Sequence, residues 1–290
     1  MREVSLLVAG ATGAIGRCVV YEALRREEFT RIVALTRSST LTDPADLFGL
    51  PVGNEDGNAD TDSSTHLTGE QLARLQPVTF DWEAFCSFWE KRRVTGEKCS
   101  TEDESFYRNL FSGHTYVAMC LGTTRRDAGS AGAFKRCDFD YVVSFAEAVR
   151  VFSASSLNTY AQISAQVASK TSWLLYPRTK GRADAAVAAL ELPRLCIYRP
   201  GLLARGSKTR SMEKIASWFI AALPVELCGR AIIRDFIHCA NASGGDETRE
   251  GAGCAGKLEG SRCPAKIILF GNEAIKREAA ALAKCTTEPL

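Results

Sequence analysis

The sequence is poor in histidine, with only His66, His114 and His238 in 290 residues. It contains no CxxC pair either, so the ligand spacing of a structural zinc site is missing. It has no block of like charge, and its formal net charge is +2. Neither nucleic acid nor an anionic membrane surface is therefore implied as a partner. No apolar run approaches the roughly 18 residues that cross a bilayer. The first residues show neither the basic flank nor the small-residue cleavage site of a signal peptide, and a cytoplasmic chain is the expectation. Eleven cysteines are present, but Cys18, Cys120 and Cys196 fall within apolar segments and read as buried, reduced thiols. Cys254 and Cys263 lie in a polar stretch whose spacing argues strongly for neither a disulfide nor a metal site.

What is present is an ordinary globular composition, 46% hydrophobic and 24% charged, in a length that suits one large α/β domain spanning residues 1–290. Apolar strand-like runs alternate with helix-like stretches, the pattern of a parallel sheet covered on both faces. The strands expected are Val4–Ala9, Arg31–Thr36, Val78–Phe80, Thr115–Leu121, Thr159–Ser164, Arg194–Tyr198 and Lys266–Phe270. Helices are expected at Gly13–Arg26, Trp82–Trp89, Phe134–Phe152, Arg178–Leu190, Met212–Leu223 and Ala274–Lys284. The fold class is then a Rossmann-like, doubly wound α/β sheet. Three polar stretches, 38–76, 91–113 and 241–264, break the rhythm and read as surface or disordered insertions with too little apolar content to pack.

The first strand runs straight into Gly10-Ala11-Thr12-Gly13-Ala14-Ile15-Gly16, which opens a helix. A dinucleotide pyrophosphate needs this arrangement. One glycine makes the tight turn and a second lets the backbone approach the phosphates. A third lets helix and strand pack closely, and the N–H groups of the helix start face the anion. As a bare pattern GxxGxxG is weak in a chain with 23 glycines, but its position between a strand and a helix gives it weight. The second strand ends Leu35-Thr36-Arg37 with no acid before Asp43. An acid there would bind the 2′-hydroxyl of NAD, whereas Arg37 suits the 2′-phosphate of NADP(H). Asp81, after the third strand, is placed to meet the adenine amino group, and a helix N-cap for Trp82 onward explains it equally well.

Hydride transfer to or from a carbonyl carbon needs a proton donor and acceptor at the oxygen. A tyrosine can serve if a lysine ammonium lowers its pKa. Tyr176 and Lys180 are four apart, on one face of a helix, and Pro177 is tolerated in a first helical turn. Ser164 ends the preceding strand and would hold the substrate oxygen. The order is what carries weight: glycine loop, strand-end serine, tyrosine–lysine pair, then another strand.

These residues resemble the atypical branch of the short-chain dehydrogenase/reductase superfamily, in particular the HIV Tat-interacting oxidoreductase subgroup. The matching stretches are the glycine loop with Arg17, Cys120-Leu121-Gly122-Thr123-Thr124-Arg125, Asp140-Tyr141-Val142, Tyr176 to Gly181, and Tyr198-Arg199-Pro200-Gly201. The resemblance implies that Leu121, Gly122 and Thr123 line the cofactor and that Pro200, Gly201 and Leu202 approach the nicotinamide carboxamide. It also implies a protein partner, as regulatory members of the subgroup have. Two features depart from the pattern. Ala165 stands where the subgroup has a second serine, and Asp138–Tyr141 offers carboxylates where classical members place an asparagine.

Two functions follow as expectations. One is an NADP(H)-dependent reductase of a small carbonyl substrate, with Tyr176 as general acid, Lys180 as its partner and ribose anchor, and Ser164 on the oxygen side. The other is an NADPH-binding regulator or scaffold with little or no turnover. Epimerase or dehydratase chemistry on a nucleotide sugar is a third use of the same fold.

Overall fold

The computed structural model describes residues 3–37, 43–51, 66–95, 101–204, 222–242 and 266–285. The chain opens with β1 (Ser5–Ala9), α1 (Ala14–Leu24) and β2 (Arg31–Thr36). Short helices α2 (Pro44–Phe48) and α3 (Gly69–Ala73) precede β3 (Leu75–Thr79). Then come α4 (Trp82–Thr95), α5 (Thr101–Phe111), β4 (Tyr116–Met119), α6 (Arg125–Ala128) and α7 (Ala131–Lys135). A π-helical turn over Arg136–Asp140 leads into α8 (Tyr141–Phe152), followed by β5 (Thr159–Ile163), α9 (Leu175–Ala188) and β6 (Arg194–Tyr198). The chain continues with β7 (Leu203–Ala204), β8 (Leu223–Pro224), α10 (Val225–Ala242), β9 (Lys266–Phe270) and α11 (Asn272–Cys285).

Seven strands form one sheet in the order β3-β2-β1-β4-β5-β6-β9, every neighbouring pair parallel. This is a Rossmann-like fold. Side chains alternate between the two faces, as a pleated strand requires. Leu6, Val8, Ile32 and Ala34 pack with α1, α10 and α11, whereas Leu7, Ala9, Val33 and Leu35 pack with α4, α5, α8 and α9. The strand order reverses between β1 and β4. In such sheets ligands bind in the crevice beyond the carboxyl ends of the strands at that reversal.

Two of the expected insertions need correction. Within 38–76, Phe48, Leu50, Leu67 and Leu75 are buried in the core. Local signals make this possible despite the polar composition. Asp43 caps α2 by accepting the Ala45 N–H at 2.7 Å, and Thr68 with Gln71 forms a capping box on α3. Within 91–113, α4 runs on to Thr95 and α5 buries Tyr107 and Phe111. Of 241–264, residues 243–264 lie outside the described residues, as do Cys254 and Cys263.

Other expectations shift. The third strand is Leu75–Thr79, not Val78–Phe80, and Pro77 is accommodated because β3 is an edge strand. The long helix expected over Phe134–Phe152 is divided by the π-helical turn. Residues 212–221 of the helix expected at Met212–Leu223 lie outside the described residues, and Leu223 belongs to β8, paired with β7. The amphipathic helix α10 was not anticipated. Its Cys228, Ala231, Ile232, Ile233 and Phe236 complete one face of the core.

Candidate functional site

The glycine loop turns sharply after β1. Gly10 has φ +69, and a Cβ there would lie 2.6 Å from the Leu121 amide nitrogen, so neither the conformation nor the space admits a side chain. A Cβ on Gly16 would collide with the Gly10 carbonyl, and its absence lets α1 close onto the turn. Gly13 is the N-cap residue of α1, with no side-chain cap, and no acid lies in the first helical turn. Gly13 and Ala14 are exposed, Thr12 is half-buried and Ile15 is buried in the core. The first-turn N–H groups and the positive end of the helix dipole are thus open to an anion.

Two adjoining cavities extend from this loop. One of about 190 Å³ is lined by Gly10, Thr12, Gly13, Leu35 and Cys120 among others. The other, of about 760 Å³, is lined by Asp81, Thr123, Arg136 and Tyr141 among others. Arg37, Trp82, Leu121 and Gly122 line both. Arg37 is exposed at the end of β2. Asp81 Oδ1 accepts the Glu83 and Ala84 N–H groups at 2.9 and 3.0 Å, so it caps α4 while also walling the larger cavity. Arg136 is held by Glu83 at 2.7 Å and by Glu90, and the indole of Trp82 stacks on Tyr141 at 5.6 Å. A cradle that a Cβ would fill, an uncapped helix start and a cleft with an exposed arginine fit a nicotinamide dinucleotide.

Helix α9 carries Tyr176, Lys180 and Asp184 at four-residue spacing, hence on one stripe. Tyr176 is 40% exposed, its ring 5.8 Å from that of Phe134. Lys180 is buried, and its Nζ lies 2.8 Å from Asp138 Oδ1. Burial alone would pull the ammonium below its ordinary pKa, but the Asp138 carboxylate and Tyr176 more than offset it, and the balance is upward. Gly122, which lines both cavities, lies so near that a Cβ on it would be 3.2 Å from Lys180 Nζ. Lys180 therefore joins α9 to the wall of the cleft at Gly122.

Ser164 is not brought to Tyr176. Its buried hydroxyl donates to Asp184 Oδ2 at 2.9 Å, one turn beyond Lys180 and roughly 12 Å along the helix axis from Tyr176. The same carboxylate accepts from Gln162 Nε2 at 2.9 Å and from Arg199 Nη2 at 2.8 Å. Pro200, Gly201 and Leu202 follow β6 and are tied down by their backbones. The Pro200 carbonyl accepts Gln166 N–H, Gly201 N–H donates to Asn272 Oδ1 at 2.8 Å, and the Leu202 carbonyl accepts Leu223 N–H. None of these three, nor Tyr176, Lys180 or Ser164, lines either cavity. Asp184, which holds Ser164, Gln162 and Arg199 together, was not anticipated, although its four-residue spacing from Lys180 is visible in the sequence.

No profile of a described protein family matches the chain. Protein HTATIP2 of Rattus norvegicus is 28% identical over 225 residues, covering 77% of this chain and 73% of the relative. Protein FMP52, mitochondrial, of Debaryomyces hansenii is 35% identical over 148 residues, covering 48% of this chain and 64% of the relative. Among solved structures, the UDP-glucuronic acid 4-epimerase of Bacillus cereus, in complex with UDP-glucuronic acid and NAD, superposes with a TM-score of 0.53 at 12% identity. The match covers 99% of this chain and 84% of that one. A short-chain dehydrogenase from Burkholderia cenocepacia in complex with NADP gives a TM-score of 0.51 at 14% identity, covering 99% of both chains. These structural likenesses bear on the fold. The cytoplasmic expectation is corrected: several fungal relatives are named mitochondrial proteins, which points away from the cytoplasm. Among the described residues no helix is long and apolar enough to cross a membrane.

Proposed function

We propose that this chain, a homologue of HTATIP2 and FMP52 in the atypical short-chain dehydrogenase/reductase family, is an NADP(H)-dependent oxidoreductase that reduces a small carbonyl compound. The observation that carries this reading is the buried Lys180, one helical turn from the exposed Tyr176 and directly against Gly122 of the cofactor cleft. When bound, the nicotinamide dinucleotide supplies the hydride.

The residues of this chain then divide the remaining work. The N–H groups after Gly10, Thr12 and Gly13, at Ala14, Ile15 and Gly16, hold the pyrophosphate. Arg37 pairs with the 2′-phosphate, and the Asp81 oxygen that does not cap α4 meets the adenine. Leu121, Gly122 and Thr123 wall the cleft, and Pro200, Gly201 and Leu202 face the carboxamide. Tyr176 holds the proton destined for the substrate oxygen, with the charged Lys180 one helical turn away as its partner and as the ribose anchor. Ser164, expected on the oxygen side, instead gives its proton to Asp184 and ties β5 to α9.

A second reading, a cofactor-binding regulator read by a protein partner, draws support from a specific feature. The charge of Lys180 is already matched by Asp138, and the proton of Ser164 is already held by Asp184. NADPH oxidation measured across a panel of aldehydes and ketones, alongside direct titration of NADPH, separates the two. Turnover supports the enzyme, and tight binding without turnover supports the regulator.

A further inference from the structure

Asp138 is fully buried in the π-helical turn between α7 and α8. A single π-helical turn inside an α-helical run changes where the following side chains point, and such turns are frequent at functional sites. This one delivers a carboxylate to two elements at once. Oδ1 lies 2.8 Å from Lys180 Nζ on α9, and Oδ2 accepts the Thr123 N–H at 2.9 Å on the segment after β4. Gly122 completes the junction, since a Cβ there would meet Asp138 Oδ1 at 3.4 Å.

A buried ammonium needs an anion or it gives up its proton. Among the described residues, the other ionisable groups acting on Lys180 are Tyr176 and Asp184 on its own helix and Cys137 on the π turn. Asp184 is committed to Arg199, Ser164 and Gln162. Burial pushes the Cys137 thiol up to about 12, so it stays protonated. Asp138 is left as the counter-ion.

We propose that Asp138 is a positioning residue that keeps Lys180 charged inside the protein and clamps it to the cleft wall at Gly122 and Thr123. It touches neither substrate nor cofactor and acts through Lys180. The inference rests on the proposed role of Lys180 beside Tyr176, and it adds why that lysine can stay charged where it is.

The test is the titration of Lys180, followed by NMR on protein labelled with 13C at lysine Cε and assigned with Lys180→Arg, with no cofactor or substrate added. In the wild type Lys180 stays charged above its ordinary 10.5. In Asp138→Asn it becomes at least about a hundredfold more acidic, as burial takes over. Asp138→Glu keeps the charge one methylene out of place and falls between the two. A Lys180 titration that is the same in all three proteins overturns the proposal. If Asp138→Asn does not fold, Asp138→Glu against the wild type decides by the same criterion. In the NADPH oxidation assay Asp138→Asn gains a loss of rate with rising pH that the wild type lacks. Absence of turnover in the wild type would count against the oxidoreductase reading and leave the NMR result to decide the role of Asp138.

Discussion

The Ser164 hydroxyl donates to the Asp184 carboxylate at 2.9 Å, binding the end of β5 to the helix that carries Tyr176 and Lys180. Asp184 Oδ2 receives both this proton and the Arg199 guanidinium, while Oδ1 receives Gln162. Losing the acceptor therefore strands three donors, whereas losing one donor leaves the others paired. Asp184→Ala should lower unfolding stability by about 3 kcal/mol. Ser164→Ala should lower it by about 1–2 kcal/mol. Urea denaturation of both variants is the check, and equal losses would mean that the carboxylate is not the hub.

Phe48 is fully buried against the β-sheet core, in the stretch whose composition read as a surface loop. Phe48→Ala should cost about 3–5 kcal/mol, a clear fall in the thermal midpoint. An unchanged midpoint would return that stretch to the surface.

His114 sets a pH dependence. Its Nε2 lies 2.8 Å from the Leu110 carbonyl and its Nδ1 2.9 Å from the Ser5 hydroxyl, so the neutral ring donates to the first and accepts from the second. Burial holds its pKa down at about 4, against 6.5 when free. The folded state thus resists a proton that the unfolded state takes up. This contribution is complete above pH 6.5 and is lost as pH falls towards 4, by about 3 kcal/mol in total. Denaturation midpoints at pH 7, 5.5 and 4.5 measure it, and His114→Gln should flatten the slope.

Arg37 should make NADPH bind more tightly than NADH by about 1.5–3 kcal/mol, the worth of charge-assisted hydrogen bonds. Arg37→Glu should reduce or reverse the preference. Isothermal titration with both nucleotides tests this, and equal affinities in the wild type would remove Arg37 from the cofactor site.

β2 and β6 were legible because parallel strands buried on both faces are continuous apolar runs, and both fall where expected, as does β9, an apolar run at the sheet edge whose Ile267 and Leu269 are exposed. The glycine loop was legible because backbone geometry dictates its residues. Segments that contribute a few apolar side chains from a polar background were not, which is why Phe48 and Phe111 came as corrections. The tyrosine–lysine spacing was visible, but the partners Asp138 and Asp184 take on their roles only through a π turn and a strand end far off in sequence. The direction of the Ser164 hydroxyl could not be read from its place at a strand end, since Asp184 claims it from a helix twenty residues on.

Tyr176 is proposed to give the proton in a reaction that consumes NADPH. Tyr176→Phe removes one hydroxyl and keeps the ring that packs against Phe134. NADPH oxidation with a carbonyl substrate should fall by about two to four orders of magnitude in this variant, the usual range of general acid–base catalysis. NADPH affinity should stay close to wild type, because the proposed pyrophosphate and 2′-phosphate contacts lie at the glycine loop and Arg37. Turnover that survives Tyr176→Phe unchanged would contradict the account.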